Sequence, residues 1–210
     1  MTTQRITQLA CTIVVMAKAP IPGYAKTRLI PALGAQRAAE LAQWLLNRTM
    51  TAALAARLGQ VELCTAPDTS HPAFTAWADK PGVLLAAQSE GDLGVRMTHA
   101  FERSLRSASA VLLMGTDAPQ LDVKVLLAAA DALKTVHAVF VPAFDGGYAL
   151  VGLRQAAPQL FADMPWSTSE VMQITRERLQ ACGLRYFELQ ALHDIDEPAD
   201  LTHLEGLGWL

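Results

Sequence analysis

The chain has 210 residues, 51% of them hydrophobic, enough to bury a full core as a single domain spanning 1–210. Its net charge of −3 and lack of any Lys/Arg run argue against nucleic acid or an anionic membrane as partner, leaving its local cations for small anions. Cys11, Cys64 and Cys182 are far apart and lack metal-like spacing, which reads as free thiols in a reducing cytoplasm.

At the start, Arg5, the apolar run to Met16 and Ala17-Lys18-Ala19 imitate a secretory signal with its cleavage site. Pro20 is a poor residue beyond such a site, and cleavage there would remove what reads as the first core strand, residues 9–17. No apolar stretch approaches the roughly 18–20 residues that span a bilayer, so the expectation is a soluble, cytoplasmic protein.

Residues 18–28 form a loop shaped by two prolines and Gly23, with three cations, Lys18, Lys26 and Arg28. Its place after the first strand is where a phosphate-binding loop sits in a nucleotide-binding α/β fold, although a solvated connection also fits. It is not a Walker A loop, because Ala25 stands where the second glycine belongs. From about Ala35 a helix is expected, with Ala38, Leu41, Ala42, Leu45, Thr49 and Ala52 on its buried face. A strand over 60–66, a short helix over 72–78 with Phe74 and Trp77 in the core, and a strand over 82–87 follow.

Residues 88–97 place Gly91 and Gly94 around Asp92, a helix N-cap candidate, ahead of Leu93, Met97, Phe101 and Leu105 at helical spacing. Glycines there either let backbone approach a ligand or simply make a tight turn. Next, 110–121 (AVLLMGTDAPQL) reads as a buried strand broken by a loop that presents Asp117. At the carboxyl end of such a strand, Asp117 is either a metal ligand or acid/base group, or a turn cap ahead of the helix near Asp122.

A helix over 123–133 and a strand over 137–143 lead to Asp145-Gly146-Gly147-Tyr148, a hairpin signal that returns an antiparallel strand over 149–153. Ser167 and Glu170 are spaced as a capping box for a helix carrying Val171, Ile174 and Leu179. A strand over 184–189 and the acidic loop 192–201 close the chain. The alternation implies a three-layer α/β sandwich with a mixed, mostly parallel sheet. Asp117 and Asp196, both near strand ends, could share one Mg²⁺ or Mn²⁺, since their mutual repulsion is tolerable with a divalent cation between them. The five histidines show no zinc-like spacing, and His193 reads as a strand-end residue.

Six ordered motifs carry a resemblance: K-A-P-x-P-G-x-A-K-T-R-L from Lys18, Q-x-x-G-D-L-G-x-R-M from Gln88, G-T-D-x-P-x-L from Gly115, D-G-G-Y from Asp145, P-W-S-T from Pro165 and D-I-D-E-P-x-D-L from Asp194. Together they resemble the bacterial glycosyltransferase-A-like family linked to arsenosugar biosynthesis. More distantly they are similar to phospholactate guanylyltransferase and molybdenum cofactor nucleotidyltransferases. The resemblance implies a nucleotide-diphospho-sugar transferase fold and a metal-dependent transferase using a nucleotide-sugar and a small acceptor. Nucleotidyl transfer with release of pyrophosphate, or a non-catalytic nucleotide sensor, are the alternatives. It further implies nucleotide binding by Ala19, Pro20, Gly23, Lys26, Arg28, Gln88, Gly91, Asp92, Gly94 and Asp117, with Lys26, Arg28 and Asp117 catalytic. Asp145, Gly146, Gly147, Tyr148 and Trp166 would face the sugar or acceptor, and Asp117 and Asp196 would hold the metal. One departure is visible: glycosyltransferases of this fold carry an Asp-x-Asp pair after the central strand, whereas here Asp117 is followed by Ala118 and Pro119.

Overall fold

The computed structural model describes residues 10–209; Arg5 of the signal-like stretch and Leu9, the first residue of the expected opening strand, lie outside them. Among the described residues seven strands form one sheet: β1 (Cys11–Lys18), β2 (Val61–Ala66), β3 (Val83–Ala87), β4 (Ala110–Met114), β5 (Ala138–Pro142), β6 (Tyr148–Leu153) and β7 (Tyr186–Glu188). Their order is β3-β2-β1-β4-β6-β5-β7, and every neighbouring pair is parallel except the two that involve β6. The hairpin expected at Asp145 is the β5–β6 connection, yet β6 then inserts between β4 and β5.

The helices are α1 (Ile30–Ala55), α2 (Pro72–Ala78), α3 (Leu93–Ser104), α4 (Val123–Ala132) and α5 (Val171–Ala181). Strand alternation divides the core: Ile13, Val15 and Ala17 of β1 join Leu46, Met50, Phe74 and Leu126 on one face, while Val14 joins Met97, Phe101, Met172 and Leu179 on the other. The α/β sandwich therefore has α1, α2 and α4 against one face of the sheet and α3 and α5 against the other. Gly34 (φ 76°) breaks the first turn of α1, so its continuous part starts at position 35, where the sequence places it. Asp92 and Asp122 cap α3 and α4 by accepting from the Val95 and Val125 amides at 2.9 and 3.0 Å.

At the start of α5 the expected capping box does not form. Ser167 lies in the left-handed region (φ 65°), and Glu170 makes no side-chain cap. The Glu170 amide donates to Thr168 Oγ1 at 3.4 Å, and the Met172 amide donates to the Gly146 carbonyl at 2.8 Å, so the hairpin loop also contributes to that helix end. A third cluster packs Leu29, Leu41 and Leu45 against Ile195 and Leu204, fastening the C-terminal segment to the start of α1 and the turn before it. Among the described residues no helix is long and apolar enough to cross a membrane.

Candidate functional site

Successive crossovers run from β1 outward to β2 and β3, then reverse to β4 on the other side of β1. That reversal leaves a crevice beyond the carboxyl ends of β1 and β4, the usual ligand position in an open α/β sheet. A cleft of about 800 Å³ lies there, bordered by the loops after β1 and β4, the start of α3, the β5–β6 hairpin, residues 166–168, and Asp194 and Asp196.

The loop after β1 turns inward at Lys26, whose backbone is left-handed (φ 51°, ψ 42°) before a 3-10 turn over Thr27–Leu29. Such a conformation is costly for a side-chain-bearing residue and is held only where its surroundings fix it. Here they do: the ammonium lies 2.5 Å from Asp117 Oδ1 and donates to the Ile195 carbonyl at 2.5 Å, with its side chain only 6% exposed. Arg28 pairs with Asp196 at 2.5 Å nearer to solvent. Each carboxylate expected to bind the metal is thus matched by a cation expected to bind phosphate. The two aspartates are not a bare repulsive pair, because each has a counter-charge of its own.

Asp194 is a carboxylate under electrostatic pressure. Burial, then the nearby charge of Asp145 and more weakly that of Asp117, push its pKa up to about 6. Asp194 and Asp196 both border the cleft, although strand alternation would send them to opposite faces. The reason is that this stretch is irregular, with an isolated bridge, Ala143–Leu192, in place of a regular strand. His193 turns aside and stacks on Phe144 at 4.1 Å and on His203 at 3.7 Å.

At the other side, Asp145 accepts from the Gly147 amide at 2.8 Å, shaping the hairpin turn. Gly146 has φ 94°, and a Cβ on it would lie 2.2 Å from the Ser169 carbonyl oxygen. Tyr148 and Trp166 meet edge-on at 6.4 Å, and the Tyr148 hydroxyl and Trp166 Nε1 are buried without a hydrogen-bond partner. Burial pushes the Tyr148 hydroxyl pKa well up. A buried N–H or O–H left unpaired costs on the order of 1–3 kcal/mol, so both are groups a ligand or water can satisfy.

Of the residues singled out from sequence, Lys26, Arg28, Gln88, Asp92, Asp117, Asp145, Gly147, Tyr148, Trp166 and Asp196 border the cleft. Ala19, Pro20, Gly23, Gly91, Gly94 and Gly146 do not. Ala19 is wholly buried and its amide donates to the Ala66 carbonyl, tying the loop to β2. Gly23 (φ 82°) and Gly91 (φ 105°) supply left-handed turns. Gly94 is a packing glycine: a Cβ there would lie 2.4 Å from the Phe161 carbonyl oxygen and 3.2 Å from Trp166 Nε1. Arg96 was overlooked. It reaches the cleft from α3 and donates to Gln88 Oε1 at 3.4 Å, while Gln88 Nε2 donates to the Cys64 carbonyl at 3.0 Å. Its signal was available, since it lies four residues after the N-cap Asp92. Lys18, the third cation of the first loop, also borders the cleft.

The donor set suits a hard cation, since every candidate ligand around Asp117 is an oxygen. Among the described residues no three His, Cys, Asp or Glu side chains are grouped as a metal cage. A Mg²⁺ or Mn²⁺ ion here would rest on one or two carboxylates, with water and substrate phosphate completing its shell, the usual habit of Mg²⁺.

No functionally curated protein matches the chain by sequence. Among solved structures, a Desulfovibrio desulfuricans G20 protein provisionally named a nucleotide-diphospho-sugar transferase is 30% identical, with a TM-score of 0.86 over 95% of this chain and 87% of its own. CMP:2-keto-3-deoxy-manno-octonic acid synthetase complexed with CTP is 14% identical, with a TM-score of 0.57 over 94% of this chain and 97% of its own. The Rv0371c protein of Mycobacterium tuberculosis H37Rv in complex with manganese is 18% identical, with a TM-score of 0.56 over 93% and 97%. The last two show the fold alone; the mixed, mostly parallel seven-stranded sheet matches the nucleotide-diphospho-sugar transferase fold of the D. desulfuricans structure. Residues 49–168 match the family described as "Uncharacterized protein conserved in bacteria (DUF2064)", more than half of the chain, and it is to this family that the protein belongs.

Proposed function

We propose that the protein is a cytoplasmic, metal-dependent transferase that takes a nucleotide-sugar and passes the glycosyl group to a small acceptor. The observation that carries this reading is a single cleft lined by paired opposite charges, Lys26 with Asp117 and Arg28 with Asp196, with Lys18, Arg96, Asp92, Asp145 and Asp194 also on its border. In this reading the cations hold the diphosphate, whose charge grows as the glycosyl bond breaks, and fixed counter-charges favour that state over the ground state. Asp117 and Asp196 are the carboxylates assigned to a divalent ion, which when bound supplies Lewis-acid neutralisation of the departing diphosphate. Tyr148 and Trp166, with unpaired donors, border the part of the cleft left to sugar and acceptor. The similarity to the D. desulfuricans protein supports the donor class.

A second reading, nucleotidyl transfer from a nucleoside triphosphate, is favoured by the lone Asp117. The next residue, Ala118, is buried, and position 119 is proline, so no Asp-x-Asp pair can form in this loop.

The test is an incubation with Mg²⁺ or Mn²⁺ and separate panels of nucleotide-sugars and nucleoside triphosphates, with arsenic-bearing sugars among the acceptors because of the family resemblance. Free nucleoside diphosphate from a sugar donor supports glycosyl transfer, and pyrophosphate from a triphosphate supports the second reading. Binding without turnover makes the protein a sensor. A ligand at ~100 times its Kd adds about 2.7 kcal/mol of stability, so the absence of any thermal shift across both panels would refute nucleotide binding altogether.

A further inference from the structure

We infer that the Lys26 ammonium is an internal stand-in for the divalent cation, occupying the oxygen donors of Asp117 and Ile195 until metal displaces it toward the nucleotide phosphates. This rests on the metal-dependent reading above and says what the metal-free site does.

The geometry is that of a held cation. Lys26 Nζ touches two oxygens at 2.5 Å, one a carboxylate and the other a backbone carbonyl, from segments far apart in the chain. Those segments are fixed to each other, since the Ile195 amide donates to the Asp117 carbonyl at 2.8 Å and the Ile195 side chain is fully buried. An anionic and a neutral oxygen presented side by side are donors that Mg²⁺ and Mn²⁺ also accept, at roughly 2.0–2.1 Å for Mg²⁺. An ammonium and a divalent ion on one carboxylate repel each other at close range, so the Lys26 contact weakens as metal arrives. The backbone need not move for this. Position 26 is fixed by its left-handed conformation and the 3-10 turn that follows, while the four-carbon stem of lysine can swing its charge to a neighbouring phosphate. Metal alone must strip Lys26 from its partners without replacing them, whereas metal and phosphate together give both Asp117 and Lys26 a new counter-charge. Binding of the two is consequently coupled, and each strengthens the other by the same factor.

The experiment measures Mn²⁺ binding without nucleotide, by electron paramagnetic resonance of the free ion, in the parent, in Lys26→Gln, and in Asp117→Asn with and without Lys26→Gln. Glutamine keeps a donor near both oxygens and drops the charge. Lys26→Gln is expected to bind Mn²⁺ at least about tenfold more tightly than the parent, and adding Asp117→Asn to it should remove that gain. Equal affinity in parent and Lys26→Gln, with binding lost in Asp117→Asn, overturns the stand-in while leaving the metal reading intact. Binding that ignores Asp117→Asn, or no binding in any of the four proteins, overturns both. A measurement on the unaltered chain guards against a variant that fails to fold. Acetic anhydride labelling followed by mass spectrometry should find Lys26 protected in metal-free protein and several-fold more reactive at saturating Mn²⁺; identical labelling in both states refutes the displacement.

Discussion

Replacing Gly94 with alanine separates two roles that sequence leaves entangled, contact with a nucleotide and packing inside the protein. The new Cβ would stand 2.4 Å from the Phe161 carbonyl oxygen, a distance that real methyl groups do not tolerate. That carbonyl has little room to retreat. The Phe161 ring is stacked on Phe101 at 5.7 Å with planes 6° apart, and Arg178 donates to the carbonyls of Gln159, Leu160, Ala162 and Asp163 on either side. Overpacking of this kind costs about 1–3 kcal/mol, against which alanine's helix propensity returns at most about 1 kcal/mol. A net loss of about 1–2 kcal/mol lowers the Tm of a chain this size by about 2–8 °C. Melting curves without ligand read this directly. A Gly94→Ala protein that melts with the parent but has lost nucleotide affinity would contradict the packing role and return Gly94 to the ligand.

Asp117→Asn should destabilise the metal-free protein, because the buried Lys26 ammonium loses its anion; with Asp117 half exposed the loss is on the order of 1–2 kcal/mol rather than that of a fully buried pair. A Tm equal to or above the parent's in metal-free buffer would show that the pair contributes nothing. Trp166→Phe removes an indole N–H that has no partner, so stability should change by less than about 1 kcal/mol while the KM for acceptor rises several-fold. An unchanged KM would place Trp166 outside the acceptor contacts. With a thiol reagent at pH 8, Cys182 should react at once and Cys11 and Cys64 only on unfolding, since both are buried and the Cys11 thiol is pushed up to about 12 by burial. Fast reaction of a second thiol in folded protein would contradict the buried positions.

The sheet was readable because its central strands are buried on both faces, so 110–114, 138–142 and 61–66 stand out as unbroken apolar runs between turn signals. Helices beginning at Leu93 and Val123 announced themselves through Asp92 and Asp122, whose side chains make the caps that their positions suggest. The capping box at Ser167 and Glu170 does not form because Ser167 is left-handed, the Glu170 amide goes to Thr168 Oγ1 and the helix starts only at Val171, where the Met172 amide finds a distant carbonyl, that of Gly146. Local spacing reports which hydrogen bonds a segment can make by itself. It is silent when a partner from another hairpin offers a better one. The placement of β6 between β4 and β5 is of the same kind, since the Asp145-Gly146 turn fixes the pairing with β5 but nothing in it names the other neighbour.

At the site, residue type was legible and pairing was not. Three cations after the first strand and an aspartate after the fourth follow from the run of the chain, but the contact of Lys26 with Ile195 spans 169 positions and leaves no periodic trace. The same holds for Arg28 and Asp196, 168 positions apart. These two links have a consequence for selectivity. A free phosphate arriving at Lys26 or Arg28 must draw a cation away from an aspartate and leave that carboxylate bare, and a free divalent ion leaves a lysine or arginine bare instead. Only a ligand that brings both signs of charge in one body, as a metal-bound diphosphate does, replaces both halves of each pair at once. On the proposed reading, the resting pairs set a threshold that either component alone meets poorly, and a site so built would discriminate for the complex before any contact with base, sugar or acceptor is made.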